Sequence, residues 1–358
     1  MLQVIGRRLL MLVPVLVGIL AVTFAISRLI PGDPCYEVLG ERASAQQCAE
    51  FRERYGLDHP ILVQFGHYVA GIAQGDFGES IATQQPVVDI LLQRLPMTFE
   101  LAISAAILAT FVGVILGTIS AVRQNSKVDV ATMIGANIGV SMPVFWLGLL
   151  LAYLFAILLK GTPFWLAPSG RLSAGLSLAP LAEVYHLQNL PVPLSWMLRF
   201  ASNMVTLNAL LTGRWDVLGD ALRHLILPVC ALATVPLAIT ARMTRACLLE
   251  VLHMEYIGTA RAKGLPERTV IWRHALRNAM LPVATVVGHS IGGLLGGAVL
   301  IETVFALPGM GTQLLTAILA RDYPVVQAFT VVIALIFVLV NLAVDISYAY
   351  FDPRVRLQ

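Results

Sequence analysis

The stretch from Glu255 to Pro282 reads EYIGTARAKGLPERTVIWRHALRNAMLP and is a basic segment inside a strongly hydrophobic chain. Tyr256 to Gly264 has the composition of a short helix, with glycine where a helix commonly ends. A second helix is predicted from Leu265 to Ala279, and an apolar span is predicted to begin at Leu281 and Pro282. A basic helical segment between strongly hydrophobic stretches predicts that the rest of the chain lies in a membrane.

Composition supports the membrane setting. Hydrophobic residues make up 58% of the chain and charged residues 13%, and the mean hydropathy is +0.79, far from the balance of a soluble domain. Windows without Asp, Glu, Lys or Arg reach or approach the roughly 18 residues of a spanning helix. They predict an all-α integral membrane protein with six transmembrane helices: Leu9 to Ser27, Leu101 to Val122, Val130 to Leu159, His224 to Ala241, Asn278 to Ile301 and Tyr323 to Val344.

The first window has a second interpretation. Leu9 to Ser27 follows Arg7 and Arg8, as the apolar part of a signal peptide does, and its last three residues resemble a cleavage site. The apolar run exceeds the roughly 7 to 15 residues of a signal peptide, so a spanning helix is favoured.

The distribution of Lys and Arg predicts the orientation. If both termini are cytoplasmic, the inside segments are residues 1–8, 123–129, 242–277 and 345–358, and there the basic residues outnumber the acidic ones. The outside segments carry a net negative charge, and the excess of Lys and Arg inside agrees with the positive-inside rule. Because the basic residues lie where membrane topology needs them, no nucleic-acid partner is expected.

The segment from Ser195 to Gly213 is apolar enough to be considered as a seventh span. It carries Arg199 and leaves too few uncharged residues to cross a bilayer. A span here would also move residues 242–277 outside, against the charge rule. We therefore predict an external amphipathic helix, and sizeable external loops between helices 1 and 2 and between helices 3 and 4.

Eight segments resemble those of a known family, in the order in which that family carries them. They are RRLLMLVPVLVG (7–18), IPGDP (30–34), SMPVFWLG (141–148), TARAKG (259–264), HALRNA (274–279), ETVFALPGMG (302–311), RDYPVVQ (321–327) and DPRVR (352–356). The chain resembles the dipeptide/oligopeptide branch of ATP-binding-cassette (ABC) importer permeases over nearly its whole length. This resemblance implies the type I ABC importer permease fold.

The resemblance also implies a function and partners. It implies a permease subunit that moves dipeptides or short peptides across the bacterial inner membrane by alternating access, together with a second homologous permease, two ATP-binding-cassette ATPase subunits and a periplasmic solute-binding protein. ATP and Mg²⁺ would be bound by the ATPases, because this chain has no Gly-Lys dipeptide from which to build a phosphate-binding loop. HExxH and CxxC are also missing, so we expect a non-catalytic subunit without a metal or cofactor of its own.

The basic segment is where the resemblance places the contact with the ATPase. It implies that the helix from Tyr256 to Leu265 docks in a cleft of that subunit, through Tyr256, Thr259, Ala260, Arg261, Lys263 and Gly264. The family consensus begins this loop with Glu-Ala-Ala, where the present chain has Gly258, Thr259 and Ala260. Any contact that this glutamate makes with the ATPase is therefore missing here. The loop from Thr162 to Asp220 also departs from the family pattern, because it aligns poorly, and this difference could alter the contact with the binding protein.

Glycines at four-residue spacing predict close helix contacts. Gly113 with Gly117 and Gly135 with Gly139 show this spacing, and the overlapping pairs Gly292 with Gly296 and Gly293 with Gly297 are the strongest candidates for a tight or gating contact. His289 is an ionisable group at membrane depth and is a candidate for a substrate contact, for a proton carrier or for a hydrogen bond to a neighbouring helix.

Charged residues at the outer ends of the spans form another candidate site. Glu302, Arg321 and Asp322 could contact the binding protein or serve as ordinary anchors. Cys35 and Cys48 lie in the first external loop, where an oxidising compartment would permit either a disulfide or two free thiols. Their spacing and the lack of neighbouring His argue against a zinc site.

The predicted organisation has three parts. Residues 1–96 form an N-terminal helix and external loop, residues 97–350 form the transmembrane domain, and residues 351–358 form a cytoplasmic tail. Within the domain, residues 160–223 are an external insertion and residues 248–280 the cytoplasmic coupling loop. A membrane-embedded enzyme or an independent proton-coupled carrier is the alternative, although few carboxylates lie at membrane depth to serve a proton carrier.

A pair of reporters fused after Leu265 tests the orientation. The basic segment should lie inside the cell, so a reporter that is active only in the cytoplasm should give a signal, and one that requires export should not. Activity of the export-dependent reporter at this position would contradict the topology.

Overall fold

The computed structural model describes residues 13–25, 35–36, 40, 43–54, 56–187 and 190–351. Its regular elements are helices, apart from one isolated antiparallel bridge between Glu79 and Pro86. In the first half of the chain the helices are α1 Val13–Ala25, α2 Ala45–Arg54, α3 Ile61–Ala73, α4 Val87–Val122, α5 Lys127–Ser141 and α6 Val144–Ala152, which continues as a π-helical segment over Tyr153–Leu158.

The second half is also helical. Its helices are α7 Leu181–Val184, α8 Val192–Asn203, α9 Val205–Leu211, α10 Trp215–Leu252, α11 Glu255–Ala262, α12 Glu267–Thr269, α13 Leu276–Val304, α14 Met310–Leu319 and α15 Tyr323–Phe351. A π-helical segment, Val270–Ala275, joins α12 to α13.

Long apolar helices occupy five of the six predicted spans. Four helical stretches are long and apolar enough to cross a membrane alone, namely Val87–Val122, Trp215–Leu252, Glu267–Gly296 and Tyr323–Ala343. The fifth is the pair α5 and α6, bent by 104°. Of the first predicted span, the structure describes α1, and the remaining residues lie outside the described part. The predicted all-helical membrane fold is confirmed.

Two breaks differ from the sequence prediction. The third window was predicted as one transmembrane helix, but α5 ends at Ser141, and Met142 and Pro143 are extended. The ring of Pro143 disfavours helical backbone at the residue before it, which accounts for the break. The predicted second helix, Leu265 to Ala279, does not end before Leu281, because α13 begins at Leu276 and continues through Pro282.

The predicted external regions contain short helices. The first holds α2 and α3, and the second holds α7 to α9. The single amphipathic helix predicted over 195–213 is instead α8 followed by α9, separated at Met204. Neither is long enough to span a bilayer, so the seventh-span alternative has no support in the described residues.

The described residues group into two compact units. The first is formed by the described residues within 1–97, 180–203 and 308–338, and the second by those within 98–179, 204–307 and 339–358. An apolar core of the first unit surrounds Phe329 and includes Val87, Ile90, Leu91, Met310, Ala317, Val325 and Ala328. A core of the second unit lies beneath α11 and is described with the candidate site.

In the second unit, α4 and α10 approach each other closely through glycines. A Cβ atom at Gly113 would lie 2.9 Å from the carbonyl oxygen of Leu237, and one at Gly117 would lie 2.5 Å from that of Ala241. No side chain fits at these distances, so the two backbones pack directly, as small residues allow in membrane helices.

Replacing Gly117 with alanine tests this contact. The added methyl group has to force α4 and α10 apart, and overpacking of this kind costs about 1–3 kcal/mol of the free energy of unfolding. We expect a lower melting temperature for the purified protein in detergent.

The matched control is Gly135→Ala on α5, where an added Cβ meets no atom within 4 Å. Its melting temperature should equal or slightly exceed that of the unsubstituted protein, since alanine favours the helix. Equal melting temperatures for both variants would contradict the direct backbone contact.

Candidate functional site

The basic segment folds as α11, a short helix with one buried edge. Ile257 is fully buried and Ala260 is 8% exposed. Both belong to an apolar cluster, here called the α11 bed, whose other buried members are Ala121, Cys247, Leu248, Val251, Val270, Ala275 and Ala279. The bed is built from the ends of α4 and α10 and the beginning of the α12–α13 run, so three spanning helices contribute to the cluster that seats α11.

The opposite side of α11 is exposed. Tyr256, Thr259, Arg261 and Lys263 all present side chains to the surface. The hydroxyl of Tyr256 accepts a hydrogen bond of 2.6 Å from Nδ2 of Asn278 on α13, and that of Thr259 donates to the carbonyl of Glu255. The helix therefore offers an aromatic and basic surface on a buried support.

Gly264 ends the helix by a defined hydrogen-bond pattern. Its N–H donates to the carbonyl of Arg261 at 2.9 Å, and the N–H of Leu265 donates to that of Ala260 at 3.4 Å. These two bonds form a Schellman motif. Gly264 has a φ of +76°, in the left-handed region that glycine adopts without strain.

An ion pair spans the turn after Gly264. The guanidinium of Arg261 donates to the carboxylate of Glu267 at 2.7 Å and 3.2 Å. This hydrogen bonding raises the pKa of the Arg261 guanidinium, so the group stays charged. Both side chains are about half exposed, and such a pair contributes little to stability.

The predicted coupling residues thus fall into two sets. Tyr256, Thr259, Arg261 and Lys263 are available to a partner, whereas Ala260 belongs to the bed and Gly264 shapes the turn. Ile257 was not singled out from the sequence, although its spacing of three from Ala260 is the signal for one buried helix edge.

Two of the four glycines singled out on α13 make no tight contact. A Cβ at Gly293 or at Gly296 would meet no atom within 4 Å, and His289 on the same helix is exposed. Gly292 is buried, and the surroundings of Gly297 lie outside what the structure describes. Among the glycines whose surroundings the structure describes, Gly113 and Gly117 are the ones that lie against the backbone of another helix.

The predicted outer carboxylates are internal. Glu302 is fully buried and accepts a hydrogen bond from the hydroxyl of Thr98. Asp322 is 3% exposed and accepts hydrogen bonds from the hydroxyl of Ser80 and the N–H of Ile81. In this structure neither carboxylate is open to an external protein, because each is satisfied inside its own unit. Arg321 is partly exposed.

The two cysteines of the first predicted external loop are joined. Cys35 and Cys48 form a disulfide with a Cα–Cα distance of 5.4 Å. Both are buried with Phe51, Ile81 and Tyr323 in one apolar cluster. The bond therefore closes a short loop inside a small core.

Family comparison agrees with these features. Residues 113–357 match the family described as binding-protein-dependent transport system inner membrane component. Residues 1–102 match the family described as the N-terminal part of such a membrane component.

Full-length relatives carry consistent names. The chain is 44% identical over 350 residues to the dipeptide transport system permease protein DppB of Alkalihalophilus pseudofirmus, covering 98% of each. It is 43% identical to the di/tripeptide transport system permease protein DppB of Pseudomonas aeruginosa, covering 100% of each. It is 42% identical to the dipeptide transport system permease protein DppB of Escherichia coli K12, covering 99% of each.

A substitution at Gly264 tests the end of α11. Valine in the left-handed region costs roughly 1–2 kcal/mol, which should loosen the last turn of α11, whereas asparagine is tolerated there. We expect trypsin to cleave the folded Gly264→Val protein after Arg261 faster than it cleaves the unsubstituted or the Gly264→Asn protein.

The denatured chains provide the control for this cleavage. All three should be cut after Arg261 at the same rate, because Ala262 follows that bond in each. Equal cleavage rates in the folded proteins would show that the αL position imposes no constraint.

Proposed function

Because this chain belongs to the binding-protein-dependent transport system inner membrane components, we propose that it is the permease subunit of an importer whose cargo is dipeptides or short peptides. The cargo is inferred from relatives that are more than 40% identical over essentially the full length and are named for dipeptides or for di- and tripeptides. A membrane-embedded enzyme or an independent proton-coupled carrier is not favoured by these matches. This chain would be a non-catalytic subunit.

Its partners follow from the same assignment. They are a second homologous permease, two ATPase subunits that bind ATP and Mg²⁺, and a periplasmic solute-binding protein. The basic segment would face the cytoplasm together with both termini, in agreement with the excess of Lys and Arg over acidic residues in residues 242–277.

The observation that carries the coupling role is the two-sided construction of α11. Its outer side offers Tyr256, Thr259, Arg261 and Lys263 to an ATPase, while Ile257 and Ala260 seat it on the α11 bed. A displacement of α11 therefore has to move the bed, because a close-packed interior does not absorb a shift by compression. Gly264 sets the direction in which the chain leaves the helix.

The missing glutamate of the family pattern falls on the outer surface of α11. Gly258 is exposed, and a Cβ there would meet no atom within 4 Å. The only carboxylate within α11 is that of Glu255, which is also exposed. We infer that the contact with the ATPase relies on Tyr256 and the basic side chains rather than on an acid at Gly258.

Transport would then proceed by a two-state rearrangement. Closure of the ATPases on ATP would shift α11, and the spanning helices that form its bed would pass the shift to a central pathway that opens to one side at a time. Hydrolysis would reset the pathway.

Uptake of a labelled dipeptide tests the proposed function. Vesicles would contain this chain with its co-purifying subunits and binding protein, and uptake would be followed with ATP and with a non-hydrolysable ATP analogue. We expect uptake only with ATP, because an importer of this class is driven by hydrolysis in the partner subunits.

Two controls make the outcome specific. Vesicles whose complex lacks this chain should not take up the dipeptide, and the free labelled amino acid should not replace it as cargo. Uptake without ATP, driven by an imposed proton gradient, would support the independent carrier. ATP hydrolysis that no dipeptide stimulates would point to another cargo.

A further inference from the structure

A buried carboxylate joins the ends of three helices in the second unit. Asp129, in the first turn of α5, is 3% exposed. Its two oxygens accept hydrogen bonds from Nε and Nη2 of Arg245 on α10, each at 2.7 Å. The hydroxyl of Ser120 on α4 and the backbone N–H of Asn125 donate to the same carboxylate. Helices α4, α5 and α10 thus share one charged centre.

The geometry of this centre is demanding. A planar guanidinium that donates through two nitrogens to two carboxylate oxygens fixes both the distance and the relative orientation of the groups. Asn125 adopts a φ of +59° in the turn between α4 and α5, which turns its N–H toward the carboxylate. A small displacement of α10 alone would therefore break several hydrogen bonds of a buried charge.

The centre lies between the α11 bed and the spanning helices. One turn before Arg245, α10 touches the backbone of α4 at Gly117. Just after Arg245, α10 contributes Cys247, Leu248 and Val251 to the bed, and on α4 the residue after Ser120, Ala121, belongs to the bed as well. A movement that begins at α11 meets Asp129 and Arg245 before it reaches the rest of α4 and α10.

We propose that Asp129 and Arg245 are positioning residues for energy coupling, which make α4, α5 and α10 move together when α11 is displaced. The inference rests on the proposed coupling role of α11. Neither residue acts on cargo or nucleotide; the pair acts through the bed beneath α11. Without the pair, α11 and its bed can shift while α5 stays behind, so ATP is hydrolysed with less transport.

The test compares transport with hydrolysis in one preparation. Complexes that carry Arg245→Gln or Asp129→Asn would be placed in vesicles with the binding protein, and labelled dipeptide uptake and ATP hydrolysis would be measured together. We expect the amount of peptide imported per ATP to fall by about 2-fold to 30-fold, the range found when coupling residues are changed, while hydrolysis continues. Arg245→Lys keeps the charge but loses the planar fork, so its ratio should be intermediate.

Arg214→Gln is the matched control. Arg214 precedes α10 and pairs with Asp216 at 2.8 Å, but both side chains are about half exposed, so its loss should leave the ratio unchanged. Thermal unfolding of each complex separates loss of coupling from loss of stability, because a merely structural role lowers the melting temperature without changing the peptide imported per ATP.

Each outcome has one meaning. An unchanged ratio in Arg245→Gln and Asp129→Asn, in complexes whose unsubstituted form imports the dipeptide, overturns the positioning role alone. Failure of the unsubstituted complex to import peptide overturns the proposed function instead. If Arg245→Gln and Asp129→Asn do not assemble with the ATPases, Arg245→Lys becomes the deciding variant. If the Arg245→Lys complex keeps the full amount of peptide imported per ATP, or also fails to assemble, the pair acts in folding only.

Discussion

The hydrogen-bonded ion pair of Asp129 with Arg245 is the interaction on which the arrangement of the ends of α4, α5 and α10 depends. Removing a charge from water costs several kcal/mol, and the attraction of a partner repays this only when the remaining lone pairs are also satisfied. Arg245, Ser120 and Asn125 meet that condition from α10, α4 and the turn between α4 and α5. If any one of these elements moved away, the buried carboxylate of Asp129 would lose a hydrogen-bond partner. The helix ends are therefore held in one arrangement.

The remaining features of this region follow from that arrangement. With the ends of α4 and α10 fixed, the glycines of α4 can lie against the backbone of α10. The same two helix ends form part of the α11 bed, to which Ile257 and Ala260 belong. Helix α11 is too short to be stable alone and depends on packing against the α11 bed. Its outer surface therefore rests on a firm support, although it consists of only a few residues.

Hydropathy predicted the helices well because charge-free windows are the direct requirement of a bilayer. It could not predict the break at Met142, since proline also lies inside continuous helices here, as at Pro228 and Pro236 of α10. Glu302 and Asp322 were expected at the surface because they lie at the ends of windows. Their partners, Thr98 and Ser80, are more than 200 residues away in the chain, a pairing that no local pattern reveals. The short helix α11 was predictable because its signal is local, in a run of basic residues that ends at a glycine.

The disulfide region carries a consequence for how the protein is made. Cys35, Cys48, Phe51 and Ile81 are synthesised early, but Tyr323, which completes their apolar cluster, and Asp322, which holds the turn at Ser80 and Ile81, come from the start of the last long helix. During biogenesis the two thiols can therefore oxidise long before Tyr323 and Asp322 have been synthesised. The N-terminal region therefore reaches its final packing only when the ribosome has delivered the C-terminal helix, which links maturation of the first part of the chain to insertion of the last.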